Sequence, residues 1–310
     1  MPESSSIDTR QVRRNFARAA KDYDRAAFLA REVDRRMLER LDYVKIAPKH
    51  IIDLGCGTGG TLTALKERYP KARLSGIDAS RAMLEWGRKT RNHARWLLPF
   101  LRHDTAALVC ADAACLPLPD ACADFVWSNQ MLHWCDPLPV FREVARVLAP
   151  GGLFMFSTLG PDTLKELRAA FAESEGQGRG GPAHTQGFVD MHDLGDMLLE
   201  SGYAGPVMDM EVLTLTYPGW DELLRELRGS GGACAMSNRP RGLMGKTKWR
   251  RMLAAYERLR QEGRLPVSLE VIYGHAWKAE DTRKEGADRR EGERQVVRFF
   301  DRRGGPNSSV

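Results

Sequence analysis

The stretch "HIIDLGCGTGG", His50 to Gly60, decides how this chain is read. Ile51, Ile52 and Leu54 form the short apolar run of a buried strand, and four glycines then arrive within six residues. Glycine reaches left-handed backbone conformations that other residues avoid, so the pattern predicts a strand, a tight loop and a helix opening near Thr58. Such a loop brings backbone close to a small ligand. Gly55, Gly57 and Gly60 fit the spacing G-x-G-x-x-G, and Gly55, Gly57 and Gly59 fit the tighter G-x-G-x-G. The glycines alone leave the choice of ligand open.

Outward from this loop, strand and helix signals alternate. "RLSGID" (73–78), "LVCADA" (108–113), "DFVWSN" (124–129) and "GLFMFST" (152–158) read as strands, with helices starting near Arg81, Pro139 and Thr163. Short apolar strands alternating with helices predict an α/β fold, a parallel sheet covered on both faces. Upstream, residues 8–42 read as one helix, with apolar positions at three-and-four spacing and no Gly or Pro. Downstream, "GPVMDMEVLTLTY" (205–217) and "SLEVIYGHAWK" (268–278) read as two long strands that flank a basic, helix-rich insertion at 219–262, expected to form a lid. "SEGQGRGGPAH" (174–184) reads as a mobile loop. The expected organisation is a helical cap over 1–44, a ligand-binding domain over 45–278, and a charged, largely disordered tail over 279–310 in which "QVVRFF" docks locally.

Hydrophobic content of 43% is enough for a sizeable core, and no run approaches eighteen uninterrupted apolar residues. The N-terminus lacks the apolar stretch of a secretory signal, so a cytoplasmic protein with no membrane contact is expected. The six cysteines include no C-x-x-C pair, and no paired histidine spacing accompanies them, so no metal is expected. The net charge of +6 is uneven: Arg225 to Arg260 holds ten Lys and Arg against two acids, leaving the rest close to neutral. An acidic partner is expected at that segment.

Three acids narrow the ligand. A dinucleotide rests its pyrophosphate on the helix N-terminus beside the glycine loop, where a nearby carboxylate is unfavourable. Asp53 stands two residues before Gly55, in that unfavourable position. S-adenosylmethionine (AdoMet) carries an ammonium and a sulfonium but no phosphate, and a carboxylate suits both cations. Asp78, closing the second strand, can accept from two ribose hydroxyls. Asp112, closing the third, can accept from an adenine amine while the Ala113 N–H meets a ring nitrogen. The three together favour AdoMet over a nicotinamide dinucleotide.

"DLGCGTG", "GIDAS", "ADAACLPLPD", "DFVWSNQMLHW" and "EVARVLAPGG" together resemble the class I AdoMet-dependent methyltransferases over about residues 45–160. That resemblance implies a Rossmann-like, seven-stranded, mostly parallel sheet with an antiparallel last strand. A narrower resemblance runs over about residues 13–278. "NFARAAKDYDRAA", "SNQMLHWCDP", "FSTLGPDTLKELRAAF", "LRGSGGACAMSNRPRGLMGK" and "LEVIYGHAWK" are similar to the malonyl-[acyl-carrier protein] O-methyltransferase family of biotin synthesis. One departure is Ala30, where that family often carries Gln.

The narrower resemblance implies methyl transfer from AdoMet, leaving S-adenosylhomocysteine, to the free carboxyl of a malonyl thioester on acyl carrier protein. A carboxylate is already ionised at neutral pH, so no strong base is needed. An anion attacks a cation, and a dry, aligned site favours that step. Cofactor contacts are expected from Tyr23, Asp53, Gly55, Gly57, Asp78, Ala79, Asp112, Ala113 and Asn129. Tyr23 over the methionine part would add about 0.5–2 kcal/mol of cation–π attraction. Phe16 and Trp134 are further aromatic candidates, whereas Trp127, inside a strand, reads as core. His133 would hydrogen-bond the malonyl carboxylate or the thioester carbonyl, while His192 and His275 read as structural. Arg228 and Arg239 are candidates for selecting the carboxylate. Arg241, Lys246, Lys248, Arg250 and Arg251, within the basic segment 225–260, suit the acidic surface of a carrier protein.

The loop "SNQM" after the fourth strand lacks the Asn/Asp-Pro-Pro-aromatic sequence of base-amino methyltransferases, which argues against a nucleic-acid substrate. A methyltransferase for another small carboxylate, an AdoMet-fold hydroxylase and a non-catalytic AdoMet-binding assembly factor remain as alternatives.

Overall fold

The structure, a computed structural model, describes residues 7–97, 106–176 and 183–280. The expected single helix over 8–42 is three: α1 (Thr9–Ala19), α2 (Tyr23–Ala26) and α3 (Phe28–Arg40). Asp8 caps α1 by accepting from the Gln11 N–H, and the chain turns at Ala20–Asp22, where the Asp22 N–H donates to the Ala19 carbonyl. A second break at Ala27 gives that residue's N–H to Tyr23. Neither break needs Gly or Pro, so helical spacing does not reveal them.

Next come β1 (His50–Leu54), α4 (Gly60–Arg68), β2 (Arg73–Asp78), α5 (Arg81–Leu97), β3 (Ala107–Cys110), β4 (Ala123–Ser128), α6 (Pro137–Val147) and β5 (Leu148–Leu159). They are followed by α7 (Lys165–Glu175), α8 (Met191–Glu200), β6 (Tyr203–Tyr217), α9 (Trp220–Gly229), α10 (Lys246–Glu257) and β7 (Leu265–Lys278). β3 stops two residues short of Asp112, which sits instead in a turn bridging to Cys115. α8 has no counterpart among the expected elements; Asp190 caps it by accepting from the His192 N–H.

The sheet has seven strands in the order β3-β2-β1-β4-β5-β7-β6. β1 to β5 pair in parallel, and β7 runs antiparallel to both β5 and β6. Because β2 and β4 lie on opposite sides of β1, the strand order reverses there and opens a crevice at the carboxyl ends of the strands.

Side chains alternate between the two faces. Ile52, Leu54, Val126, Phe154 and Phe156 pack on one, with Phe141 of α6 and Leu194 of α8. Ile51, Phe125, Trp127, Leu153 and Met155 pack on the other, with Met37 of α3 and Leu65 of α4. Burying each such side chain contributes about 1.5–3 kcal/mol, so the platform under the crevice is rigid. Trp127 is fully buried against Phe125 and belongs to this core. A third cluster joins α7, α9, α10 and the start of β7 through Leu167, Leu223, Met252, Tyr256 and Leu265. α9 and α10 thus form a helical insertion between the last two strands.

Among the described residues no helix is long and apolar enough to cross a membrane. Of the expected tail over 279–310 only Ala279 and Glu280 are described, and most of the expected mobile loop at 174–184 lies outside the described residues.

Candidate active site

The glycine loop resolves which spacing matters. Gly55, Gly57 and Gly59 have φ of 80°, 55° and 84°, the left-handed region that favours glycine. Gly60 begins α4, and a side chain there would meet nothing within 4 Å. The glycines the backbone requires are therefore those of the tighter pattern. A Cβ on Gly55 would stand 2.4 Å from the Met131 side chain, and one on Gly57 would stand 3.7 Å from the Tyr23 ring. The loop lies directly against Tyr23, which the break between α1 and α2 turns toward it.

Acids surround this loop. Asp53 is buried, and its Oδ2 has no hydrogen-bond partner. Burial, reinforced by the neighbouring Asp34 and Asp78 charges, pushes its pKa well up. Asp34 accepts from the Thr61 hydroxyl at 2.9 Å, and burial pushes its pKa up to about 6. Asp78 accepts from the backbone N–H of Gly57 at 2.9 Å and of Ser80 at 2.7 Å. Burial raises its pKa against those two bonds. Burial and the charges of Asp78, Asp24, Asp53 and Asp34 also raise the Tyr23 phenol. Crowded carboxylates with an orphaned oxygen fit a cationic ligand and oppose a pyrophosphate.

Tyr23, Gly55, Gly57, Asp78, Ala79, Asp112, Ala113 and Asn129 line one cavity of about 100 Å³. Asp53 lies beside it without lining it. Asp112 is not free: its Oδ2 accepts from Arg13 at 3.1 Å and its Oδ1 from the Ala114 N–H at 3.1 Å. The carboxylate expected to meet an adenine amine is held by α1 and by its own turn. The Asn129 amide donates to the Ala30 carbonyl at 2.8 Å and accepts from the Ser157 hydroxyl at 2.8 Å, so its orientation is fixed from both sides.

A second cavity, of about 410 Å³, adjoins the first. Phe16, Tyr23, Gln130 and Trp134 line both and form the junction. Phe16 stands 6.2 Å from Tyr23 and 5.4 Å from Trp134, and Trp134 stands 5.0 Å from His133, between ring centroids. His133 is buried at the wall of the second cavity, and burial lowers its pKa to about 3. It is neutral at pH 7, with one ring nitrogen 3.4 Å from the Thr158 hydroxyl. A neutral imidazole can donate one hydrogen bond and accept another, and carries no charge of its own into the cavity. Most of the remaining wall is apolar, from Leu29, Leu159, Leu167, Phe188, Trp220 and Leu269 among others.

The two arginine candidates part company. Arg228 lines the second cavity on the α9 side. Arg239 does not line it, which corrects its expected role. Its guanidinium donates to Asp8 at 3.0 Å, to Gln11 at 3.1 Å and to the Met236 carbonyl at 2.9 Å. It ties the segment between β6 and β7 to α1, as do the bonds from the Asn15 amide to the Ala233 carbonyl and from the Asp8 N–H to the Ala235 carbonyl. Gly231 allows the same close approach: a Cβ there would come within 2.8 Å of the Phe16 ring. His192 is exposed beside Asp190, and His275 sits in β7; neither lines a cavity described above.

Gln130 and Gln186 were absent from the expected set. Gln130 takes a left-handed φ of 54°, and its backbone N–H donates to the Ser157 carbonyl and hydroxyl. Gln130 shares this conformation with Ala121, Leu164 and Glu262, and lines the junction of both cavities; nothing in "SNQM" announces it. Gln186 donates to the His133 carbonyl and accepts from the Ala235 N–H, so it ties the histidine turn to the segment between α9 and α10. The pairing of segments 50 residues apart is invisible in one sequence. Among the described residues no cluster of His, Cys, Asp and Glu could hold a metal ion.

A model of the methyltransferase domain matches residues 52–156. The chain is 46% identical over 273 residues to the malonyl-[acyl-carrier protein] O-methyltransferase of Gallionella capsiferriformans, an alignment covering 88% of this chain and 91% of that one. It is 48% identical over 280 residues to the protein of the same name from Laribacter hongkongensis, covering 90% and 92%. Among solved structures it is similar to the YcgJ protein of Bacillus subtilis, with a TM-score of 0.54, 16% identity, and coverage of 79% of this chain and 98% of that one. That last likeness is one of fold.

Proposed function

The chain belongs to the malonyl-[acyl-carrier protein] O-methyltransferase family, and from that premise we propose how its two cavities divide the work. The reaction is AdoMet-dependent methylation of the free carboxyl of malonyl-[acyl-carrier protein], giving the methyl ester used in biotin synthesis. The observation that carries the division is the junction: Phe16, Tyr23, Gln130 and Trp134 belong to the acid-lined cavity and to the apolar one alike.

In this reading Asp53 and Asp34 receive the cationic methionine end of AdoMet and Asp78 its ribose, while Gly55 and Gly57 let the backbone approach. Bound there, AdoMet supplies an electrophilic methyl on a positively charged sulfur. Tyr23 covers that end of the cavity with its ring face. The malonyl carboxylate reaches the junction already ionised, so the chain has no proton to remove. His133, neutral and fixed by Thr158 and Gln186, donates a hydrogen bond to one substrate oxygen and leaves the attacking oxygen free. The apolar walls and the cap-to-lid ties around Phe16 and Arg239 exclude water. This strengthens the attraction between carboxylate and sulfonium and removes solvent that would stabilise the separated ions.

Residues 1–44 act as the cap and 219–262 as the lid. Arg241, Lys246, Lys248, Arg250 and Arg251 are exposed and form no ion pair among the described residues, which suits them to steer an acidic carrier protein. Six unpaired cysteines accord with work in the reducing cytoplasm.

The test compares malonyl-carrier with acetyl-carrier under identical conditions, following S-adenosylhomocysteine by chromatography. Turnover with malonyl-carrier alone is expected; equal turnover with the acetyl form, which has no free carboxyl, would reject the assignment.

A further inference from the structure

The apolar cavity also continues outward. A wider cleft of about 1040 Å³ lies between α1–α2 and α9, and Ala26, Tyr217, Leu224, Glu226, Arg228 and Ala233 line both spaces. The three cavities therefore follow one another: outer cleft, apolar chamber, acid-lined cofactor cavity. A thioester carried on a long arm needs such a passage, because its carrier is too large to enter.

The outer cleft differs in chemistry from the chamber it feeds. Arg18, Arg25, Arg225 and Arg228 line it, with Asp22, Asp221, Glu222 and Glu226. Arg25 is spent on Asp22 at 2.5 Å, and Arg225 stands 3.9 Å from Glu222. Arg18 and Arg228 are exposed and form no ion pair among the described residues. Arg18 also ends a stripe with Arg10 and Arg14, spaced four residues apart on a helix that contains no acid. Arg228 stands at the neck beside Glu226, and Arg18 in the outer cleft; two unengaged guanidiniums on the approach to an apolar passage suit a phosphodiester, which guanidinium binds by paired hydrogen bonds.

Resting on the proposed function, we infer that the substrate's prosthetic arm enters between α1–α2 and α9, with its phosphate held by Arg18 and Arg228 in the outer cleft. The apolar chamber then takes the arm and thioester, and the carboxylate alone reaches the cofactor. Arg228 thereby selects the phosphate end of the substrate instead of the carboxylate. The exposed α10 bases contact the carrier's own surface.

Three substrates separate these roles: malonyl-carrier, malonyl-phosphopantetheine and malonyl-pantetheine, which lacks the phosphate. Arg18→Glu should lower kcat/KM about tenfold, equivalent to about 1.4 kcal/mol, for the first two and leave the third unchanged. Arg18→Lys, which keeps the charge but not the paired hydrogen bonds, should recover only part of the loss. Equal loss on all three substrates, no loss on any, or loss confined to the carrier would each overturn the inference. Wild-type protein that methylates none of the three would refute the underlying function, before any variant is measured.

Discussion

Asp53→Asn should move cofactor affinity and stability in opposite directions. Asp53 is buried, its Oδ2 has no partner, and Asp34 and Asp78 crowd it. Without a cation, that carboxyl destabilises the fold at neutral pH. A carboxyl whose folded pKa is raised costs stability once pH exceeds its unfolded value, and the cost grows until its folded pKa is passed. Asparagine does not titrate, so the free variant should be more stable than wild type at pH 7, and the difference should shrink as pH falls toward 4. Asparagine keeps a buried polar group there, so only the extra cost of the charge separates the two proteins, and each kcal/mol of it moves Tm by about 2–4 °C in a domain of roughly 150–250 residues and by no more in this longer chain. A cationic ligand turns the penalty into an attraction. Losing a charge-assisted hydrogen bond of about 1.5–3 kcal/mol should weaken AdoMet binding roughly 10- to 100-fold. Calorimetric titration with AdoMet and thermal melts of the free protein at pH 4, 5.5 and 7 read both effects. If the variant binds AdoMet as wild type does, or loses affinity and stability together, the carboxylate does not face a cation.

Asp78→Ala should abolish measurable AdoMet binding by calorimetry and preserve the circular dichroism spectrum, with Tm lowered because the Gly57 and Ser80 N–H groups lose their acceptor. Retained affinity would remove Asp78 from the ribose. Asp34, with its pKa raised to about 6, gives affinity a pH dependence. A cation favours the ionised form, so binding below pH 6 must expel a proton. AdoMet affinity should fall as pH drops from 7 to 5 and level off above 7, and calorimetry in buffers of different ionisation enthalpy should detect proton release near pH 6; pH-independent affinity would contradict this. Charge reversal at Arg250 and Arg251, both exposed, should raise KM for malonyl-carrier several-fold and leave malonyl-phosphopantetheine unaffected. Equal responses would place the carrier's surface elsewhere.

The sequence was most informative where one short segment carries both structure and chemistry. β1, its glycine loop and Asp78 were legible because strand, turn and acid follow one another and each obeys a local rule. The parallel part of the sheet followed from the same alternation, whereas the seven strands and the antiparallel last one were implied by the family resemblance. The three-way split of the N-terminal helix was not legible, since Ala20 and Ala27 are good helix formers and neither break carries a Gly or Pro. Arg239 looked suited to a substrate carboxylate by its charge and its segment; its partners Asp8 and Gln11 lie more than 220 residues away and take its donors. The apolar chamber draws on α3, α7, β6, α9 and β7 together, so no window of sequence could reveal its size or its opening toward Arg18.

The most direct test follows a methyl group. Protein incubated with AdoMet bearing a labelled methyl and with malonyl-carrier should place the label on the carrier's acyl group as an ester, from which mild alkali releases labelled methanol. Label that stays on AdoMet despite tight binding, or that appears in an alkali-stable form, would contradict transfer to the carboxylate.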